Sequence, residues 1–285
     1  MVVEQLHRSY FGEALLPVAS YAGFVRYSRG IDLDVAGEYW TSSLSGATGN
    51  IWPPVPRADV PYRGVKRFLE RSITLDASNH ASVTLATVAT AAWGLALSKL
   101  NDTNDVCFMM TSSGRQAPLQ ALESVPGITT ARVPVRVRVE DNQTVSEFLR
   151  AVQDYVVNSV PHEHYGVANM ADLMPELGPS LVAPTSQVAM QPAKIHDAAS
   201  NDADDPGAIM TAPAPDVYSS AEAIDGFHVT PLVTDCFIGD ARVDISSTYN
   251  CEVLAAEELG SFYDRVERNI RFLWGHSRES VALMN

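Results

Sequence analysis

Three neighbouring segments of the sequence decide its fold: TLATVATAAWGLALSK (residues 84–99), MMTSSGR (residues 109–115) and ESVPGITTARVPVRV (residues 123–137). The first segment is nearly all apolar with helical spacing of its large side chains, which predicts a helix buried on several sides. The second predicts the end of a buried strand and a polar loop. In the third, Val alternates with Arg, the period-two pattern of a strand.

The sequence on either side continues this succession of helices and strands, and it predicts an α/β sandwich with one mixed sheet. Residues 1–30 predict one or two short helices, and residues 65–75 a strand, after which Asp76 or Ser78 caps the long helix. The other predicted elements are helices over residues 34–44, 144–156, 167–174 and 257–274, and strands over residues 105–111, 132–140, 186–191, 227–237 and 241–249, the last two forming a hairpin.

The length and the unbroken run of elements predict a single domain over residues 1–285. Within it, residues 1–62 comprise the N-terminal helices and an extended connector rich in Pro and Gly. Residues 192–225 form a long insertion rich in Ala, Asp, Pro and Ser, which is too polar to build a core.

Composition excludes several classes of partner. The net charge is −14 and no Lys/Arg-rich run occurs, so nucleic acid and anionic membrane surfaces are poor partners. Residues 1–16 carry charges and no continuous apolar run, which argues against a secretory signal, and no stretch predicts a membrane span. The three cysteines lack CxxC spacing, which favours buried free thiols in a reducing compartment. We expect a cytoplasmic protein without a cofactor.

Several motifs in order resemble one known family. EYWTSSLSG (residues 38–46), the helix at 84–99, DVCFMMTSSGR (residues 105–115), VPHEHYGVANM (residues 160–170) and the closing hairpin and helix are similar to the C-terminal lobe of a fungal-type nonribosomal peptide synthetase condensation domain. The resemblance implies a chloramphenicol-acetyltransferase-like two-layer sandwich, with a mixed β-sheet packed with helices, as a single lobe. In that family two lobes form a V, and a tunnel between them admits two carrier-bound substrates. Residues 192–225 match the region of the loop that floors the tunnel.

The catalytic signature of that family is missing from this sequence. The signature, two histidines followed by three variable residues, Asp and Gly, belongs to the N-terminal lobe and should end just upstream of residue 1. None of the seven histidines is followed by Asp four residues later. The general base of the family therefore cannot be assigned to any residue of this sequence.

A second departure gives the first candidate catalytic residue. Where the family usually reads Asn-Thr at the entry of the strand, this sequence has Ala131 and Arg132. A guanidinium at this place could clamp a carboxylate or an enolate, or it could pair with an acid on the protein itself.

His162 and His164, which flank Glu163, are the other catalytic candidates. A turn with a structural role, an acid–base pair and a metal site are the open interpretations of these histidines, and no metal site is predicted.

Four further residues are candidates for substrate binding. Ser112, Ser113 and Arg115 belong to the polar loop, which resembles the family's Ser-Gly-Arg loop and lacks the surroundings of a nucleophilic serine. Tyr249 precedes Asn250 where the family commonly has Tyr-Asp. These residues could line a substrate or serve the structure.

Three hypotheses of function follow from these patterns. In the first, a stand-alone, truncated condensation-like enzyme of secondary metabolism binds a small reactive intermediate and steers a cyclisation, a rearrangement or a proton transfer. In the second, the lobe works with an N-terminal lobe in trans, or with another copy of itself, in acyl transfer between carrier-bound thioesters. In the third, a non-catalytic module docks a carrier protein or a partner synthetase, which the charge of −14 disfavours for an acidic carrier. The starting Met and the departures at tunnel-lining positions favour the first hypothesis.

Overall fold

A six-stranded mixed sheet organises the chain. The computed structural model describes residues 2–54, 66–78, 83–140, 142–193, 230–276 and 279–281. The strands are β1 (Lys66–Thr74), β2 (Asp105–Ser112), β3 (Ala131–Arg138), β4 (Ser186–Pro192), β5 (Leu232–Ile238) and β6 (Arg242–Asn250). The helices are α1 (Val2–Tyr10), α2 (Tyr21–Arg29), α3 (Leu33–Leu44), α4 (Leu85–Leu100), α5 (Val145–Ser159), α6 (Val167–Leu173), α7 (Gly178–Val182) and α8 (Ala256–Gly275), and two 3-10 turns cover Leu122–Ser124 and Val160–Tyr165.

The strands lie in the order β1-β6-β5-β4-β2-β3. β2, β4 and β5 run parallel to one another, whereas β3, β6 and β1 each pair antiparallel with a neighbour. The predicted hairpin is therefore present as β5 and β6. Residues 194–229, which hold nearly all of the predicted 192–225 insertion and the predicted start of the hairpin, lie outside the described residues.

Helices α4, α5 and α8 cover one face of the sheet and enclose the main core. Trp93 of α4 meets Phe262 of α8 edge to face, with ring centroids 4.8 Å apart. Gly94 lets α4 approach β3 closely, because a Cβ there would lie 2.6 Å from a methyl of Val137. The predicted cap of this helix is wrong: Thr84 is extended and accepts the Thr87 N–H, whereas Asp76 accepts from Ser78 in the preceding turn.

The second face is covered at β2 and β3 by α3, α6, α7 and the Val160–Tyr165 turn, around a smaller core that includes Trp40, Met109 and Met170. This cover explains why Arg136 is buried, with a side chain only 4% exposed. Its guanidinium bonds Asp105 (Nε–Oδ1, 2.7 Å) and donates to two carbonyls at the end of α3. A period-two pattern alone does not reveal that both faces of a strand are covered.

The cysteines differ in exposure. Cys107 and Cys236 are buried as predicted, and burial raises the pKa of the Cys107 thiol to about 12. The prediction is wrong for Cys251, which is exposed in the turn after β6. Within the described ranges, no helix has the length and apolar character needed to cross a membrane.

Candidate functional site

The candidate site lies where the parallel strands β2, β4 and β5 reach their carboxyl ends, which we call the carboxyl edge of the sheet. In open α/β sheets, ligands bind outside the carboxyl ends of such strands. The Ser-Gly-Arg loop follows β2 at this edge, and β3 starts from the same edge because it is antiparallel to β2. The sheet therefore places Ser112, Ser113 and Arg132 near one another.

A polar cluster fixes the start of this loop. The Ser112 hydroxyl donates to Glu163 Oε2 at 2.6 Å and accepts the Gly114 N–H at 3.2 Å. The Glu163 side chain is 3% exposed, and its Oε1 has no hydrogen-bond partner among the described residues. The same oxygen lies 3.5 Å from His164 Nε2. Glu163 stands between the two candidate histidines in the sequence, but only the fold shows that its carboxylate lies against both His164 and Ser112 at the start of the loop.

His164 is enclosed by protein groups. Its Nε2 is 3.2 Å from the Gly114 carbonyl oxygen, and the rings of Phe24 and Tyr27 meet it edge to face. Gly114 has φ +67°, and a Cβ there would overlap the Thr129 carbonyl oxygen and lie 2.7 Å from the His164 ring. Burial and the neighbouring Glu163 charge raise the pKa of Tyr27. His164 thus joins α2 to the loop.

His162 contacts a different set of aromatic groups. Its ring stacks on Tyr39 with centroids 4.2 Å apart, and its carbonyl oxygen accepts the indole N–H of Trp40 at 3.0 Å. Burial lowers the pKa of His162. The two candidate histidines therefore do not converge on a common reacting position.

Arg132 is not part of the Ser112 cluster. It pairs with Thr111 across the ladder, whereas Ser112 pairs with Ala131. Thr111 in turn accepts a hydrogen bond from Gln187 at 2.6 Å, which makes a polar row across β3, β2 and β4. Within the part of the chain that the structure describes, Arg132 makes one hydrogen bond, to Val182 O at 3.4 Å, and no ion pair.

The remaining predicted binding residues have internal contacts. Arg115 donates to the carbonyls of Leu122, Val125 and Gly127 at 2.8–3.1 Å, which fastens the loop after β2. Ser113 is exposed, and its carbonyl oxygen accepts the Thr129 hydroxyl at 2.8 Å. Tyr249 is 4% exposed, packs in the main core and pairs with Leu232 at the start of β5. It therefore lies at the opposite edge of the sheet from Ser112.

Two hollows open elsewhere on the surface. One of about 320 Å³ lies beside Arg136, Arg138 and Tyr155, and a shallow one of about 860 Å³ lies along α3 and Leu173. The histidines that the structure describes line neither of them. In the described ranges, no group of three or more His, Cys, Asp or Glu is arranged to hold a metal.

Comparison with known proteins assigns the family. The family model described as the condensation domain matches residues 12–280. The chain belongs to the condensation-domain family. Among curated relatives of this condensation-domain chain, the nonribosomal peptide synthetase gloA of Glarea lozoyensis is 32% identical over 288 residues, which is 100% of this chain and 4% of that protein. The synthetase inpB of Emericella nidulans is 26% identical over 99% of this chain and 12% of that protein.

Solved structures confirm the predicted sandwich and its lobe size. Holo T3CT matches with a TM-score of 0.72 at 17% identity, over 98% of this chain and 61% of that chain. The first condensation domain of the calcium-dependent antibiotic synthetase, in complex with substrate analogue 2a, matches with a TM-score of 0.63 at 16% identity, over 98% and 63%. The starter condensation domain of the rhizomide synthetase RzmA matches with a TM-score of 0.62 at 14% identity, over 99% and 62%. More than a third of each solved chain therefore lies outside the match.

Proposed function

We propose that this chain is the substrate-positioning lobe of a condensation unit, which transfers an acyl group between two carrier-bound thioesters with an acid–base histidine supplied by another lobe. One observation carries this proposal: the two histidines near the candidate site are held in internal contacts, His162 against Tyr39 and His164 between Gly114 and the α2 aromatics. The partial match to longer condensation domains supports it.

The reaction needs a base that this arrangement does not offer. An amine or hydroxyl of the acceptor attacks the thioester carbonyl carbon, the new C–N or C–O bond forms, and the C–S bond breaks. The nucleophile loses a proton to a base, and the leaving thiolate gains one. The role of this chain is to hold the two reactants at the carboxyl ends of β2 and β4. Positioning alone can lower the activation barrier by several kcal/mol.

The experiment is a transfer assay on carrier-bound acyl donor and aminoacyl acceptor thioesters. The chain alone should give no product above the uncatalysed reaction. Product should appear when a condensation-domain lobe that carries the histidine motif is added. Product formation by the chain alone would contradict the proposal.

A second candidate function is favoured by the polar row of Arg132, Thr111 and Gln187. Arg132 has no carboxylate partner in the described residues and stands where the family usually has a neutral side chain. A guanidinium so placed suits a small anionic intermediate, whose cyclisation, rearrangement or proton transfer it would steer by fixing a carboxylate or enolate. Loss of such an activity in an Arg132→Ala variant would support this second function.

A further inference from the structure

A third, smaller hollow lies between the C-terminal end of α4 and the middle of α8. Its volume is about 30 Å³. A single water molecule needs about 10–15 Å³, so this hollow has room for a compact ion or group and not for an extended chain. Polar side chains from three parts of the chain line it: Ser98 and Lys99 of α4, Asn104 before β2, and Arg265 and Asn269 of α8.

The lining carries two positive charges, Lys99 and Arg265, and none of the described lining residues is acidic. Neither cation has a hydrogen bond or an ion pair with any described residue. The acids that flank Arg265 along α8 bind elsewhere, because Asp264 and Glu267 bond Arg71 of β1 at 2.8 and 3.1 Å. Two like charges beside one hollow repel each other, and a bound anion would remove this repulsion.

Uncharged groups add further hydrogen-bond donors. The Asn104 carbonyl accepts the Val139 N–H at 2.8 Å, whereas its side-chain amide has no hydrogen-bond partner in the described structure. The Asn269 amide donates one N–H to a carbonyl of α4 at 3.1 Å and keeps its second N–H. Ser98 differs, because its hydroxyl proton goes to Thr103 O and its oxygen can then only accept. The lining therefore offers several donors and one acceptor.

Hydrogen bonds satisfy two carbonyls at the C-terminal end of α4. The Leu97 carbonyl accepts the backbone N–H of Asn101 at 2.9 Å and the side-chain amide of the same residue at 2.8 Å. The Ser98 carbonyl accepts the Thr103 N–H at 3.1 Å. These bonds reduce the partial negative charge that would otherwise repel an anion at this end of the helix.

We propose that this hollow binds inorganic phosphate. Lys99 and Arg265 supply the two positive charges that a dianion needs, and a guanidinium is well suited to phosphate oxygens. Inorganic phosphate keeps at least one proton near neutral pH, and the Ser98 oxygen can accept the hydrogen bond of that P–OH group. Sulfate has the same shape and charge but no proton to donate.

The phosphate site is distant from the candidate functional site. Asn104 directly precedes β2, and Ser112 ends that strand. A strand of this length spans roughly 25 Å. Bound phosphate would link α4 to α8 and stabilise the fold by mass action, without contacting the reactants of acyl transfer. The phosphate site therefore does not depend on the proposed function.

Calorimetric titration of the full chain with inorganic phosphate measures this binding at neutral pH and at fixed ionic strength, because salt screens exposed charges. The dissociation constant should be on the order of 1 mM, and Lys99→Gln and Arg265→Gln should each raise it at least about tenfold. Arg268→Gln is the matched control: Arg268 is exposed on α8 outside the lining, and its substitution should change the constant less than about twofold. Thermal transitions that match the unsubstituted chain in the absence of phosphate show that the variants fold.

Two other ions test the chemistry of the ligand. Sulfate should bind at least about threefold more weakly than phosphate, because it lacks the P–OH donor. Glycerol 3-phosphate, which near neutral pH has mostly lost its last proton, should also bind more weakly than the free ion. Sulfate that binds as tightly as phosphate overturns the choice of phosphate, and tighter binding of glycerol 3-phosphate overturns the choice of the free ion.

The variants also separate the phosphate site from the proposed function. Absence of saturable phosphate binding overturns the site, and so do Lys99→Gln and Arg265→Gln variants that bind phosphate like Arg268→Gln. Acyl transfer with an added lobe should be the same in all three variants. A loss of transfer that accompanies the loss of phosphate binding would contradict the separation of the two sites.

Discussion

The bond between Ser112 and Glu163 offers the sharpest test of the site geometry. Ser112→Ala removes the one hydrogen bond that Glu163 accepts among the described residues and leaves a carboxylate of 3% exposure unsatisfied. Hydrogen bonds to a charged group contribute about 1.5–3 kcal/mol, and an orphaned buried acceptor costs a similar amount. We therefore expect Ser112→Ala to lower the free energy of unfolding by about 2 kcal/mol.

The double-mutant cycle isolates this bond from other effects of the substitutions. In a Glu163→Leu background the carboxylate is gone, so Ser112→Ala should cost about 0.5 kcal/mol or less, a coupling energy of about 1.5 kcal/mol or more. Urea unfolding at neutral pH measures all four proteins. The matched control is Ser113→Ala, an exposed neighbour whose hydroxyl accepts the Arg115 N–H at 3.3 Å and which should show coupling near zero with Glu163→Leu. A Ser112–Glu163 coupling below about 0.3 kcal/mol would refute the cluster.

Two further predictions concern charged residues. Burial opposes ionisation of Asp105, but its hydrogen bond to Arg136 and the charges of Arg136 and Arg138 outweigh this effect and lower its pKa. A lowered pKa stabilises the fold above the ordinary Asp value of about 3.9, and this contribution is lost as pH falls through the folded-state pKa. Asp105→Asn should therefore cost about 3 kcal/mol at pH 7 and progressively less as the pH falls below about 3.9. A cost in urea unfolding that stays constant as the pH is lowered would contradict the pair. Arg132→Ala should change the rate of acyl transfer in the presence of the added lobe less than about twofold, and the free energy of unfolding by no more than about 0.5 kcal/mol. The reason is that the side chain makes one long hydrogen bond in the described residues. A large loss of transfer would show that Arg132 takes part in the reaction.

The sequence predicts the helices and strands well where packing and local pattern agree. The α4 segment is apolar on most faces and is buried, and the helix predicted over residues 144–156 begins at a capping box of Thr144 and Glu147. The prediction failed at the α4 cap because the helix begins at Leu85, where the Thr84 hydroxyl accepts the Thr87 N–H, whereas Asp76 accepts from Ser78 in an earlier turn. The apolar pattern of the segment gave the helix but not its first residue.

The candidate site is less predictable because it depends on which strand ends meet. Ser112 and Glu163 are 51 positions apart, and only the packing of the Val160–Tyr165 turn against β3 brings them into contact. The register pairs Arg132 with Thr111, and within the described residues Arg132 makes a hydrogen bond to Val182 O and none to the candidate histidines. A single-sequence pattern gives the residue types but neither the register nor the face.

The central claim is that the acid–base histidine of the reaction lies in a second lobe. The most direct measurement compares acyl transfer by this chain with an added histidine-motif lobe and with the same lobe in which the second motif histidine is changed to Ala. The account predicts transfer with the first and a loss of at least about 100-fold with the second, the usual size of a general acid–base contribution. The same rate of transfer with the unsubstituted lobe and with the His→Ala lobe would contradict the account, and so would transfer by this chain with no lobe added.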